Sequence, residues 1–123
     1  IYKLGAATIH SANEINVYNK IKVKKIKLDD ILGDKIISFI KIDVEGHERE
    51  VINGSKNIIQ KNKPILLVEI EERHSKKPVI DTIKYISDLG YQSFFVVNNK
   101  LVKTEQLKNI NSENNFIFIP KSN

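Results

Sequence analysis

Hydrophobic positions along the chain change period several times, and each change marks an element. Ile36 to Ile42 is apolar apart from Ser38 and Lys41, the pattern of a strand covered on both faces, and it stops at Asp43. Gly46 then permits a sharp turn. From Glu48 to about Gln60 the spacing becomes helical, with Val51, Ile52, Ser55, Ile58 and Ile59 on one stripe and Arg49, Glu50, Lys56 and Lys61 turned to water. Glu48 in the first turn and Lys61 past the last suit the helix dipole. Gly54 costs about 1 kcal/mol against Ala within a helix, so its presence points to a close approach of helix to sheet. Pro64 ends the connection, and Ile65 to Ile70 reads as a second buried strand that also finishes in carboxylates, Glu69 and Glu71.

Two parallel strands joined by a helix make a right-handed crossover unit. Val79, Ile83, Ile86 and Leu89 repeat at helical spacing between Pro78 and Gly90, which predicts a second helix over 78–89. Tyr91 to Val97 is a strand, Asn98-Asn99 a turn, Leu101-Val102 a short return, and Phe116 to Ile119 a last strand closed by Pro120. The short spacing of these last strands implies antiparallel pairing, with a frayed tail from Lys121 to Asn123. Upstream, residues 1–20 break every period and read as irregular, with a short strand at Ile1 to Leu4. A strand is expected over 22–27. Leu28 to Gly33 is one helical turn capped by Asp29. The result is a single α/β domain whose core spans 21–120.

Composition narrows the functional classes. The 123 residues are 41% apolar, enough for one modest core, and no run is long enough to cross a bilayer. With no signal-peptide pattern at Ile1-Tyr2-Lys3, the expected compartment is the cytoplasm, with no membrane partner. The absence of cysteine removes disulfides, thiolate metal sites and cysteine nucleophiles. A net charge of +5 raises the question of nucleic acid, but only Arg49 and Arg73 among the 20 basic residues are arginine, and the lysines are scattered apart from Lys22, Lys24, Lys25 and Lys27. A solvated surface is the expected role for them, without a nucleic-acid partner. Asn53-Gly54-Ser55 fits a glycosylation pattern but falls inside the expected helix, as a chance match.

The candidate chemistry lies where the two buried strands surface. Open parallel sheets bind ligands at the carboxyl ends of their strands, and here adjacent strands deliver Asp43, Glu45 and Glu69 to one edge. Asp43 and Glu45 could instead cap the following helix, and Glu69 could be a solvated strand end. His47 could share a divalent cation with Asp43 and Glu45, although no metal site is expected. His74, amid Glu71, Glu72 and Arg73, could contact an acceptor or belong to a polar loop, and His10 reads as a solvated loop residue. Lys41 inside an apolar strand is expected to snorkel or pair with an acid. Asp29 and Asp30 lack a third oxygen donor for a cation.

The string Lys41-Ile42-Asp43-Val44-Glu45-Gly46-His47-Glu48, followed by Val51, Gly54 and Pro64 to Ile70, closely resembles the core signature of the FkbM family of S-adenosylmethionine-dependent methyltransferases. Leu28-Asp29-Asp30-Ile31-Leu32 fits the same family, so the likeness spans roughly residues 23–71. It implies a partial Rossmann-like methyltransferase sheet, the C-terminal half of a class I domain. The donor would be held mainly by an N-terminal half with a glycine-rich turn, and no Gly-x-Gly occurs in this chain. By the same resemblance Asp43, Glu45 and His47 would be catalytic, with Asp43 and Glu45 also facing the donor. Glu69 would face the acceptor, a hydroxyl on a sugar or other small metabolite, and His74, which from its polar surroundings could contact an acceptor or a metal, is the second candidate for that side. A strand that is central in the complete fold would here expose its edge, so self-association as a homodimer is expected. The competing reading is a non-catalytic binding domain of the same fold.

Overall fold

In a computed structural model, residues 21–122 are described, and they form one five-stranded sheet with its helices packed against a single core. In chain order the elements are α1 (Leu28–Leu32), β1 (Phe39–Ile42), α2 (Glu48–Asn53), α3 (Lys56–Asn62), β2 (Ile65–Glu69), α4 (Glu72–Ser75), α5 (Val79–Ser87), β3 (Tyr91–Val97), β4 (Lys100–Lys103) and β5 (Asn115–Pro120). Short 3₁₀ turns at Thr104–Gln106 and Ile110–Ser112 link the last two strands. The irregular segment, the short strand and His10 expected within residues 1–20 lie outside the described residues.

The strands are ordered β1-β2-β5-β3-β4. β1 and β2 pair in parallel, with Ile40 beside Leu66 and Ile42 beside Val68. β5 runs antiparallel between β2 and β3, so the final strand fills the centre of the sheet rather than pairing beyond β4. β3 and β4 form the expected hairpin, with Asn98 and Asn99 both at positive φ, the backbone that a twisted two-residue hairpin demands. Asparagine tolerates that region better than other residues with a Cβ.

Alternation along the strands sends Ile40, Ile42, Leu66, Val68, Phe116, Phe118, Tyr91 and Phe95 to one face. There Ile52 of α2, Ile59 of α3 and Val79, Ile83 and Ile86 of α5 close the core. Leu66, Val68, Phe116 and Phe118 have no solvent exposure, and burying such side chains contributes about 1.5–3 kcal/mol each. The opposite face is less covered: Phe39 and Ile65 are exposed, and Leu67 and Ile117 are half-buried. Among the described residues, β1 and β2 are therefore not covered on both faces. Their continuous hydrophobicity exceeds what the described helices cover, and among the described residues β1 is an edge strand.

Other expectations need correction. Residues 22–27 form no strand; they are exposed and extended without a ladder, because their lysines alternate with too few buried partners. The single helix over 48–60 is two helices. Ser55 donates its hydroxyl proton to the Val51 carbonyl at 2.6 Å, and Ser55 N–H turns back to Ile52. Side-chain bonding of this kind competes with helix continuation. Gly54 approaches Lys27 rather than the sheet, and there is ordinary van der Waals room for a Cβ. Asn53 accordingly ends α2 instead of lying mid-helix, and it accepts a hydrogen bond from the Tyr85 hydroxyl. The polar loop around His74 contains the short helix α4, and Lys121 is tied by its N–H to the Gly90 carbonyl rather than frayed.

Asp29 does not cap its own turn. Its carboxylate accepts from the N–H groups of Asn57 and Ile58, both at 3.0 Å, and its own N–H donates to the Gly54 carbonyl. It thus satisfies orphan donors at the start of α3, the service a capping side chain renders. Asp29→Ala is expected to lower stability by about 1 kcal/mol, while Asp30→Ala changes little, as read by urea denaturation of the two variants side by side.

Candidate active site at the carboxyl ends of β1 and β2

β1 ends at Ile42, and the next residues reverse the chain into α2 within a few positions. Glu45 has φ 51° and Gly46 φ 100°, two left-handed residues in succession. The second must be glycine. A Cβ on Gly46 would lie 2.7 Å from the His74 carbonyl oxygen, a backbone atom of α4. The Gly46 N–H donates to Glu48 Oε1 at 2.8 Å, and Glu48 itself is only 2% exposed. Glu48 therefore hooks the turn from inside, and a glutamate in the first helical turn is well placed to do so.

The parallel register brings the two strand ends level: one step past Ile42 and Val68 stand Asp43 and Glu69. Both belong to the less covered face of the sheet, as does Lys41, whose Nζ lies 3.3 Å from Asp43 Oδ2. Lys41 thus pairs with an acid, one of its two expected roles. Glu69 holds its proton more strongly than an ordinary glutamate, first because burial penalises its charge, then because Asp43 and Glu71 stand near it and Asp43 hydrogen-bonds to it; Lys41 opposes this.

Glu71 is the hub of the adjoining wall. Its carboxylate takes hydrogen bonds from Arg73 Nε and, at 3.0 Å, from Asn114 Nδ2, and His74 Nε2 lies 3.2 Å away. Its pKa is held below the ordinary range, chiefly by the Arg73 hydrogen bond and next by that from Asn114. Asp43, Glu45, Glu48, Glu69, Glu71, Arg73 and His74 together line a cleft of about 70 Å³. A surface in which carboxylates outnumber the cations paired with them complements a cation and can accept a proton, whereas it repels anions.

The sequence-derived candidates thus divide. Asp43, Glu45, Glu69 and His74 meet in one cleft. His47 does not line it. It begins α2, with Nδ1 3.9 Å from Glu50, and it faces a separate, largely apolar cleft of about 440 Å³ beside Ile26, Leu28, Val44 and Val51. Among the described residues no three carboxylate or imidazole groups are arranged to hold a metal ion. Sequence reasoning missed Glu48, Glu71 and Arg73 as cleft residues. Glu48 carried a signal, since an acid directly after a glycine turn and before a helical stripe is a capping position. Glu71 and Arg73 stood out only as neighbours of Glu69 and His74, because the hydrogen bond that ties Glu71 into the wall comes from Asn114, 43 positions away.

A family model described as the methyltransferase FkbM domain matches residues 3–93, which include the acidic turn, both parallel strands and α5. Comparison with curated proteins and with solved structures gives no match.

Gly46→Ala forces a Cβ against the His74 carbonyl and a disfavoured φ; a loss of roughly 1–3 kcal/mol is expected from the dihedral alone, with the clash added, and thermal melting measures it. Glu69→Gln tests the strained acid. A raised folded pKa means that the favourable contribution is complete below the ordinary 4.5 and is lost as pH rises through the raised value. Glu69→Gln is therefore expected to melt higher than the parent at neutral pH, with the difference closing once pH falls below 4.5.

Proposed function

The chain belongs to the FkbM methyltransferase family, and on that premise we propose that it forms the acceptor side of a domain moving a methyl group from S-adenosylmethionine to a hydroxyl of a sugar or other small metabolite. One observation carries the reading. Within the family-matched stretch, two neighbouring parallel strands end in step and set Asp43 and Glu69 side by side at one rim.

The residues present suit the methionine end of that donor, whose ammonium and sulfonium are cations. Asp43 and Glu45 supply opposite charge at the strand end. When bound, the donor supplies an electrophilic methyl group on sulfur. The chain's own residues would then orient it and manage the acceptor's proton. Glu69 is the better base, because an acid with raised proton affinity lies nearer the working pH than an ordinary carboxylate. Asp43, ion-paired to Lys41, and Glu45 would position the donor. His47, seated on the other cleft, would contribute to the shape of that neighbouring surface rather than to proton transfer.

Sheet order supports the same reading. In β1-β2-β5-β3 the last strand runs antiparallel between two strands that are parallel to each other, the arrangement of the C-terminal half of a methyltransferase sheet. β1 stands at the edge where a donor-binding half would pair.

Demethylated donor released on incubation with hydroxylated acceptors, together with calorimetric donor binding, tests the proposal in the full-length protein. Glu69→Gln is expected to lower kcat by about 10²–10⁴ with donor affinity retained, and Asp43→Asn to weaken the donor by roughly tenfold. Transfer that persists undiminished in both variants would remove the basis for the assignment.

A further inference from the structure

Beyond the acidic rim lies a second, larger cleft of about 400 Å³, between α4 and the segment that leads into β5. Its polar lining comes from Glu72, Arg73, Asn111, Ser112, Glu113 and Asn114. Buried Ile70 and Val79 lie beneath them. Glu71 and Arg73 line both clefts, so the two spaces share a wall. The wall is held from each side: Glu71 takes the Asn114 side-chain amide, Ile70 N–H donates to the Asn114 carbonyl at 2.7 Å, and Asn111 Nδ2 lies 3.5 Å from Glu72 Oε2.

We propose that this larger cleft is the acceptor subsite, and that it takes a polyhydroxylated ring without phosphate or carboxylate. The assignment rests on the methyl-transfer reading and adds to it the place and the charge class of the acceptor. Asn111, Ser112 and Asn114 offer neutral donors and acceptors on one wall. Charge sets the class. Among the described residues lining either cleft, Arg73 is the one permanently cationic group, and its Nε is engaged by Glu71. Against it stand Glu71, Glu72 and Glu113 here and Asp43, Glu45 and Glu69 next door. An anionic acceptor would enter against that field, and the one guanidinium it could meet is already charge-paired with Glu71. A neutral ring meets no such barrier, and Glu71 and Arg73 are the wall between it and the cleft that holds Glu69.

The test is a titration of the ¹⁵N-labelled protein with methyl glucoside and, separately, with glucose 6-phosphate. Methyl glucoside is expected to shift the side-chain amides of Asn111 and Asn114, with the phosphate sugar weaker by on the order of tenfold. The double variant Glu72→Gln, Glu113→Gln should narrow that ratio while leaving the methyl glucoside shifts in place. Equal or tighter binding of the phosphate sugar, shifts confined to residues outside the cleft, or no binding of the neutral sugar would each overturn the assignment. The two readings fail differently. Sugar shifts in the cleft without methyl transfer in the full-length protein count against the transferase; transfer with sugar shifts elsewhere counts against the cleft.

Discussion

The register between β1 and β2 is the constraint on which the rest of the molecule depends. Ile40 beside Leu66 and Ile42 beside Val68 place four aliphatic side chains on the covered face, where Phe116 and Phe118 of β5 pack against the same layer. A slip of β1 by one residue against β2 would turn Phe39 and Lys41 into that core and expel Ile40 and Ile42. The hydrophobic face therefore fixes the alignment, and the alignment fixes which residues come next at the strand ends. Asp43 and Glu69 stand together because the layer beneath them allows no other pairing. Burial of Glu69 and, after it, the nearness of Asp43 both work against its ionised form, which is why Glu69 keeps its proton more readily than usual. Burial of the apolar layer outweighs that local penalty.

A second constraint ties this rim to its surroundings through backbone rather than side chains. Gly46 passes so close to the His74 carbonyl that the β1–α2 turn and α4 must move together. Glu48 fastens the turn from below, and Glu71 fastens α4 to Asn114. On the far side of α2, the Arg49 guanidinium lies 4.7 Å from the centre of the Tyr85 ring and reaches the Asp81 carbonyl, joining α2 to α5. The positive φ of Glu45 is thus held by contacts on both sides of it. Backbone strain kept in this way is found at sites that have to present a side chain in one orientation.

Much of this was legible in the sequence, and what was not has a common cause. Strand ends, the glycine turn, the Asn98-Asn99 hairpin and the α5 stripe are local patterns, and the structure contains each of them near the expected positions. The joining of Asp43 and Glu69 at one rim also followed, because a short crossover of two parallel strands leaves few alternatives. The failures are non-local or depend on competition between weak preferences. β5 enters the centre of the sheet through pairings with β2 about 50 positions upstream, for which no period in the sequence gives notice. The break at Gly54-Ser55 is stabilised by Asp29, 28 and 29 positions away from the amides it caps, so a helical stripe that looks continuous is in fact two. His47 was grouped with the acids by alternation, but the turn at Glu45 and Gly46 rotates it onto another surface.

Charge distribution deepens this point. The chain carries a net +5, and a reading by total charge would look for a polyanionic partner. The described structure separates the signs instead. Lys22, Lys24, Lys25 and Lys27 are exposed along the extended segment before α1, whereas Asp43, Glu45, Glu69, Glu71, Glu72 and Glu113 gather around the two clefts at the strand ends. The field a ligand meets at those clefts is set by the nearest groups, since ions screen charges more than about 10 Å away at ordinary salt. A basic protein can thus present an acidic mouth, offset at its rim by Lys41, which pairs with Asp43. The proposed methyl transfer would set a cation at the rim and a neutral, hydrogen-bonding molecule beside it, a pairing that fits this distribution of charge far better than a phosphate backbone does.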